Sequence, residues 1–229
     1  MQKILKLFRR TRRRLYGHII SLGYNCEVSF QFFKKYKFVE SSLFAWVNTS
    51  NCDNLIYALN NLEKLMSMGF KKAFPMYVDI ATGIYFHGKD GKEDSESIII
   101  DELTSRIMYL RDKFIKTATD GKKNLYIFKY PAHNFSQKKA AEDITKLYNA
   151  LTTLVKNKFD LLIISEKKND INISSFDNLF IRYVDFYTPE EAVTTKPYDQ
   201  KGYAKIFSEF CPDFKLEKKK KFKFEALDG

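Results

Sequence analysis

The residues best placed to do chemistry form one short run, Ser21-Leu22-Gly23-Tyr24-Asn25-Cys26-Glu27. His18-Ile19-Ile20-Ser21-Leu22 is apolar and stops at Gly23, which predicts a buried first strand. Cys26 to Tyr36 spaces Val28, Phe30, Phe32 and Phe33 among polar residues as a helix does. Gly23 permits a sharp turn between the two. A thiol at the start of that helix would feel its unpaired N–H groups and positive dipole end, which lower a thiol pKa. Cys26 is thus a candidate nucleophile, with the N–H groups of Asn25 to Glu27 as a candidate oxyanion site. The competing reading is that Cys26 is a small buried hydrophobe. Ser21 offers a hydroxyl, but from inside the strand.

A thiolate needs a proton acceptor, and the chain has three histidines. His87 closes the run Ile84-Tyr85-Phe86 and enters a polar loop, a good position for a general base. His133 lies beyond the strand read at Asn124 to Tyr130, also at a carboxyl end. His18 begins the first strand, at the opposite end from Cys26. Asp79, Asp90, Asp94 and Asp199 could each orient a histidine. Cys52 falls at a helix start, where it too could be activated, although its surroundings read as ordinary capping; Cys211 precedes Pro212 and reads as structural. No paired spacing suits a metal, and no Walker-type or Gly-x-Gly-x-x-Gly loop implies a nucleotide, so no cofactor is expected.

The elements that must position these groups alternate in type. A helix through Leu55, Ile56, Leu59, Leu62 and Leu65 is expected to start at Asn51 or Asp53 and end near Gly69. Ser42 to Val47 reads as a strand. Met76 to Ile80 and Ile84 to His87 flank Ala81-Thr82-Gly83 as a hairpin. Helices follow over Glu96 to Thr117, from Ser136 to Val155, and over Gln200 to Phe210. Strands are expected at Asn124 to Tyr130, Asp160 to Ile164 and Leu179 to Tyr187. Apolar strands alternating with amphipathic helices predict a single α/β domain, a mainly parallel sheet with helices on both faces of the Rossmann or flavodoxin-like three-layer kind, with a small hairpin insertion near 76–87.

The net charge of +11 is concentrated at the ends. Seven Lys and Arg fall in residues 1–16, which contain no acid, and six Lys fall in 215–223. The body is close to neutral, so the expected division is a basic amphipathic segment 1–16, a domain 17–214 and a basic tail 215–229. Cations kept off the folded body disfavour nucleic acid as a partner. The N-terminal segment could lie on an anionic membrane surface. Three thiols without a secretory signal or an apolar run of membrane-spanning length suggest a cytoplasmic protein, with membrane association through those ends.

Ile20-Ser21-Leu22-Gly23-Tyr24-Asn25-Cys26-Glu27-Val28 resembles the opening signature of a bacterial and viral family of unknown function labelled papain-like cysteine peptidase. Ser42-Leu43-Phe44-Ala45-Trp46-Val47 is similar to its Pro-Phe-Asp-Trp segment, and Gly83-Ile84-Tyr85-Phe86-His87 to its aromatic-x-His segment. Ser105-Arg106-Ile107 and Leu125 to Lys129 match weaker motifs that carry a cation. The resemblance implies a cysteine-dependent hydrolase or acyl transferase with Cys26 as nucleophile and His87 as base. Gly23, Asn25, Glu27 and His133 would support them, and Trp46, Arg106 and Lys129 would bind a small-molecule, glycan or peptide substrate. Ala45 stands where the family usually shows an acid. The chain also looks partly like the serine esterase and acyltransferase fold, with Asp199 at its acid position and no His following. The alternatives are a peripheral membrane transferase of cell-surface glycan biosynthesis, with Arg106 and Lys129 meeting phosphate or sugar acids, and a non-catalytic binding module.

Overall fold

Central strands buried on both faces organise the packing of the chain. The structure, a computed structural model, describes residues 16–37, 41–88, 95–130, 136–167, 170–173, 176–185 and 199–211. His133, Asp90, Asp94 and the basic ends, residues 1–15 and 212–229, lie outside the described residues.

Strand β1 (His18–Ser21) leads into helix α1 (Glu27–Tyr36). Then come β2 (Val47–Asn48), α2 (Cys52–Asn60), a short 3₁₀ turn at Leu62–Lys64, and β3 (Phe70–Ala73), β4 (Met76–Asp79) and β5 (Tyr85–His87). The second half runs α3 (Glu96–Thr119), β6 (Asn124–Lys129), α4 (Gln137–Leu154), β7 (Phe159–Glu166), β8 (Leu179–Val184) and α5 (Gln200–Phe210).

β1, β6, β7 and β8 lie side by side in that order, all parallel. Successive side chains of a strand point to opposite faces. Leu125, Ile127, Leu162 and Ile164 therefore pack with Val28 and Phe32 of α1 and with Tyr203, Phe207 and Phe210 of α5. Tyr126, Phe128, Leu161 and Ile163 pack on the other face with α2, α3, α4 and the second sheet. β6 is buried along its full length, as a strand covered on both faces must be. This is the expected α/β architecture.

The expected hairpin is present as β4 and β5, and it belongs to a four-stranded antiparallel sheet ordered β2-β5-β4-β3. Two local expectations need correction. The apolar run at 42–47 is mostly a turn, with only Val47 in a strand. The Ala45 N–H returns to the Ser42 carbonyl at 3.2 Å, and Leu43, Phe44 and Ala45 are apolar because they are buried. Helix α2 ends at Asn60, and the 3₁₀ turn carries its stripe on through buried Leu62 and Leu65. β3, with two exposed lysines in four residues, gave no strand pattern to read.

The helix starts use ordinary chemistry. Asn51 Oδ1 accepts from the Asn54 N–H at 2.8 Å, and Ser136 Oγ accepts from the Lys139 N–H at 3.3 Å. Among the described residues no helix is long and apolar enough to cross a membrane.

Asp79 ties the small sheet together. It is fully buried and accepts from the Met66 N–H at 3.0 Å, the Thr82 N–H at 3.1 Å and the Thr82 hydroxyl at 2.5 Å. Asp79→Ala orphans both backbone donors and is expected to cost about 2–4 kcal/mol, since each bond to a charged acceptor contributes about 1.5–3 kcal/mol. Urea unfolding curves measure that loss.

Candidate active site at the carboxyl end of the parallel sheet

The turn between β1 and α1 is held in a conformation few residues adopt. Gly23 and Tyr24 both have positive φ, 85° and 73°. Gly23 meets that requirement at no steric cost, whereas a bulky Tyr does not. A Cβ on Gly23 would also lie 2.9 Å from Val47 Cγ2 and 3.1 Å from Thr49 Cγ2. The Tyr24 carbonyl accepts from the Thr49 N–H at 3.2 Å, so β2 and the residues after it brace the turn from one side.

This turn delivers Asn25, Cys26 and Glu27 beyond the carboxyl end of β1, where open parallel sheets bind ligands. Cys26 immediately precedes α1, and its carbonyl accepts from the Phe30 N–H at 2.9 Å. Asn25 Oδ1 accepts from the Glu27 N–H at 3.1 Å. That N–H, expected to face an oxyanion, is thus already occupied by a side chain.

Glu27 and Lys129 form a buried ion pair from α1 to the end of β6. Lys129 lies on the same face of β6 as Leu125 and Ile127, and α1 covers that face. Only one oxygen of Glu27 is used. Oε1 makes no hydrogen bond, and neither do Gln31 Nε2, one turn along α1, or Ser21 Oγ at the end of β1. Gln31 was invisible to sequence reasoning because a polar residue on an amphipathic helix reads as solvent-facing. Its i, i+4 spacing from Glu27 was the available signal.

Cys26 alone among the three cysteines is reached by solvent. Cys211 is buried, its thiol pushed up to about 12 by burial. Cys52 is buried against the Asp143 carbonyl, and burial, then Asp143 and Asp53, push its thiol up. The Cys26 thiol is also raised, chiefly by partial burial and further by Glu27, while Lys129 acts to lower it. Desolvation of a half-buried thiol outweighs the helix dipole, contrary to the expected depression.

The remaining predicted residues sit elsewhere. His87 is exposed at the end of β5. Val47 pairs with Phe86, and both are buried on the face of the small sheet that meets Gly23. Alternation places His87 on the opposite face, and no hydrogen bond joins it to Cys26. Half-buried Trp46, just before β2, belongs to the same end of that sheet. The Arg106 guanidinium, on α3, donates to the His87 carbonyl. A cavity of ≈ 470 Å³ lies against Arg106, Ile99, Glu102 and Leu103.

The structure places Gly23, Asn25, Cys26 and Glu27 on one turn with Lys129 bonded to Glu27, and sets Trp46 and His87 at one end of the small sheet, where Arg106 donates to the His87 carbonyl. Asp79 is a structural acceptor. Asp199 accepts from the Gly202 N–H at 2.8 Å and the Asp185 N–H at 3.2 Å, as the cap of α5. His18 pairs with Asp120 at 2.8 Å, at the far end of β1.

No family model, curated protein or solved structure matches this chain. The likeness to the papain-like cysteine peptidase family accordingly rests on the quoted motifs.

Two outcomes test this geometry. Lys129→Met is expected to cost about 3–5 kcal/mol by leaving Glu27 buried and unpaired, and adding Glu27→Leu should recover much of that loss. A double-mutant cycle in urea reads both. The alkylation rate of Cys26 should reach half its maximum above the ordinary thiol value of about 8.5. Glu27→Gln should move that midpoint down by removing the carboxylate that opposes thiolate formation.

Proposed function

We propose that this protein is a cysteine-dependent hydrolase or acyl transferase with Cys26 as its nucleophile. The observation that carries the reading is the position of Cys26. The only solvent-reached thiol stands on a backbone-strained turn at the carboxyl end of a parallel sheet, beside a buried carboxylate and ammonium. Strained backbone of this kind concentrates at functional sites.

The raised thiol is protonated at rest, so the chemistry begins with a proton transfer. Cys26 Sγ forms a bond to a substrate carbonyl carbon as its proton passes to the Glu27 carboxylate, whose Oε1 has room to accept it. Lys129 offsets the negative charge that builds on sulfur and oxygen. The tetrahedral species collapses by breaking the bond to the leaving group, which takes the proton from Glu27. Water, or an acceptor hydroxyl or amine, then cleaves the thioester. His87 has no part in this sequence, because it lies on the other face of the small sheet. Glu27 takes the role that the motif resemblance gave to His87.

A non-catalytic binding module is the second reading. The occupied Glu27 N–H and the raised Cys26 thiol favour it.

Activated esters and thioesters separate the two. Intact-mass spectrometry after rapid quenching should show one acyl group on Cys26, and Cys26→Ser should abolish both the adduct and about 10³-fold of turnover. His87→Ala should leave the rate within about twofold. Acylation spread equally over surface lysines, with Cys26 unmodified at any pH, would leave the binding module as the account.

A further inference from the structure

The β3–β4 hairpin carries an unusual surface. Ala73 pairs with Met76, so Phe74 and Pro75 alone make the turn. Phe74 is 89% exposed, the most exposed of the large apolar side chains among the described residues. Behind it on the edge strand stand Lys71 and Lys72, both exposed. Residues 64–78 contain three lysines and no Asp or Glu.

Several lysines elsewhere on the folded body are paired with a carboxylate. Lys123 pairs with Asp160, Lys139 with Asp143 and Lys167 with Asp185, at 2.7–2.8 Å. Neither Lys71 nor Lys72 has a carboxylate partner among the described residues. Edge-strand lysines alone could serve to block strand-to-strand pairing. That role does not call for an aromatic ring held out at the apex.

We infer that the Phe74–Pro75 hairpin tip is a contact site for an anionic lipid surface. An exposed aromatic at an apex can enter the boundary between headgroups and acyl chains, removing its ring from water. Lysines two and three residues behind it lie at headgroup depth, with their stems against the apolar layer and their ammonium groups toward phosphate. The charge is complementary to an anionic leaflet and the contact is peripheral. The basic segments at 1–16 and 215–223 would add attraction to the same surface without replacing the tip. This inference is independent of the chemistry proposed for Cys26, because lipid binding can be read without any turnover.

The test uses the full chain and sedimentation with vesicles of phosphatidylcholine containing about 30% phosphatidylserine at low salt. Wild type should sediment with these vesicles and not with pure phosphatidylcholine. Phe74→Ala should weaken binding about tenfold, and Lys71→Glu with Lys72→Glu by about thirtyfold or more. All are surface changes, so unchanged thermal midpoints confirm the fold. Phe74→Trp adds a depth gauge, since the chain has a single tryptophan, Trp46. Brominated lipid should quench the new fluorophore beyond the wild-type signal. Vesicle binding that all three substitutions leave unchanged would assign the membrane contact to the chain ends and overturn the proposal. So would failure of wild type to bind, or a dimer that Phe74→Glu dissociates.

Discussion

The buried pair between Glu27 and Lys129 is the interaction on which the candidate site depends. It joins the start of α1 to the end of β6, so it sets how the first helix sits on the central sheet. Two desolvated charges are costly to bury and are seldom the most stable choice for such a position. Apolar residues of similar volume would hold α1 as firmly. The pair also leaves Glu27 Oε1 without a hydrogen bond, a further cost in a low-dielectric setting. The chemistry proposed for Cys26 would give this costly arrangement a use that stability alone does not supply.

Around this pair the architecture has a clear division of labour. The parallel sheet supplies a rigid floor whose strand ends hold Ser21 and Lys129 at fixed heights. The antiparallel sheet supplies a wall, since Val47 and Thr49 close against Gly23 and the Tyr24 carbonyl is tied to the Thr49 N–H. The left-handed pair Gly23–Tyr24 is affordable because both sides over-determine it. Ser29 adds a second tie, its hydroxyl donating to the Ala45 carbonyl at 2.6 Å. Ala45, where the resembling family has an acid, is thus a backbone anchor for α1.

The second sheet has two faces with separate roles. One face carries Tyr77, Phe86 and Val47 into the core. The other, with His87, Met76 and Lys71, looks outward by strand alternation. His87 therefore belongs to the exposed face of this sheet, at the end of β5.

Much of the fold was legible in the residues themselves. Short apolar runs at 125–128 and 161–164, bounded by polar residues, read as strands covered on both faces, and the 3.6-residue stripes of α3, α4 and α5 as helices laid on them. Those signals are local, because periodicity is a property of consecutive residues. The turn 21–27 was likewise legible, through its Gly and the change of period on either side. Tertiary structure alone decided the rest. Whether Cys26 is activated depends on burial and on two charges, one of them 103 residues away in the chain. The run at 42–47 looked like a strand because burial, which is non-local, makes turns apolar too. The pairing of Glu27 with Lys129, and the face on which His87 falls, follow from sheet order and register. Both are set by packing among segments that no sequence period connects.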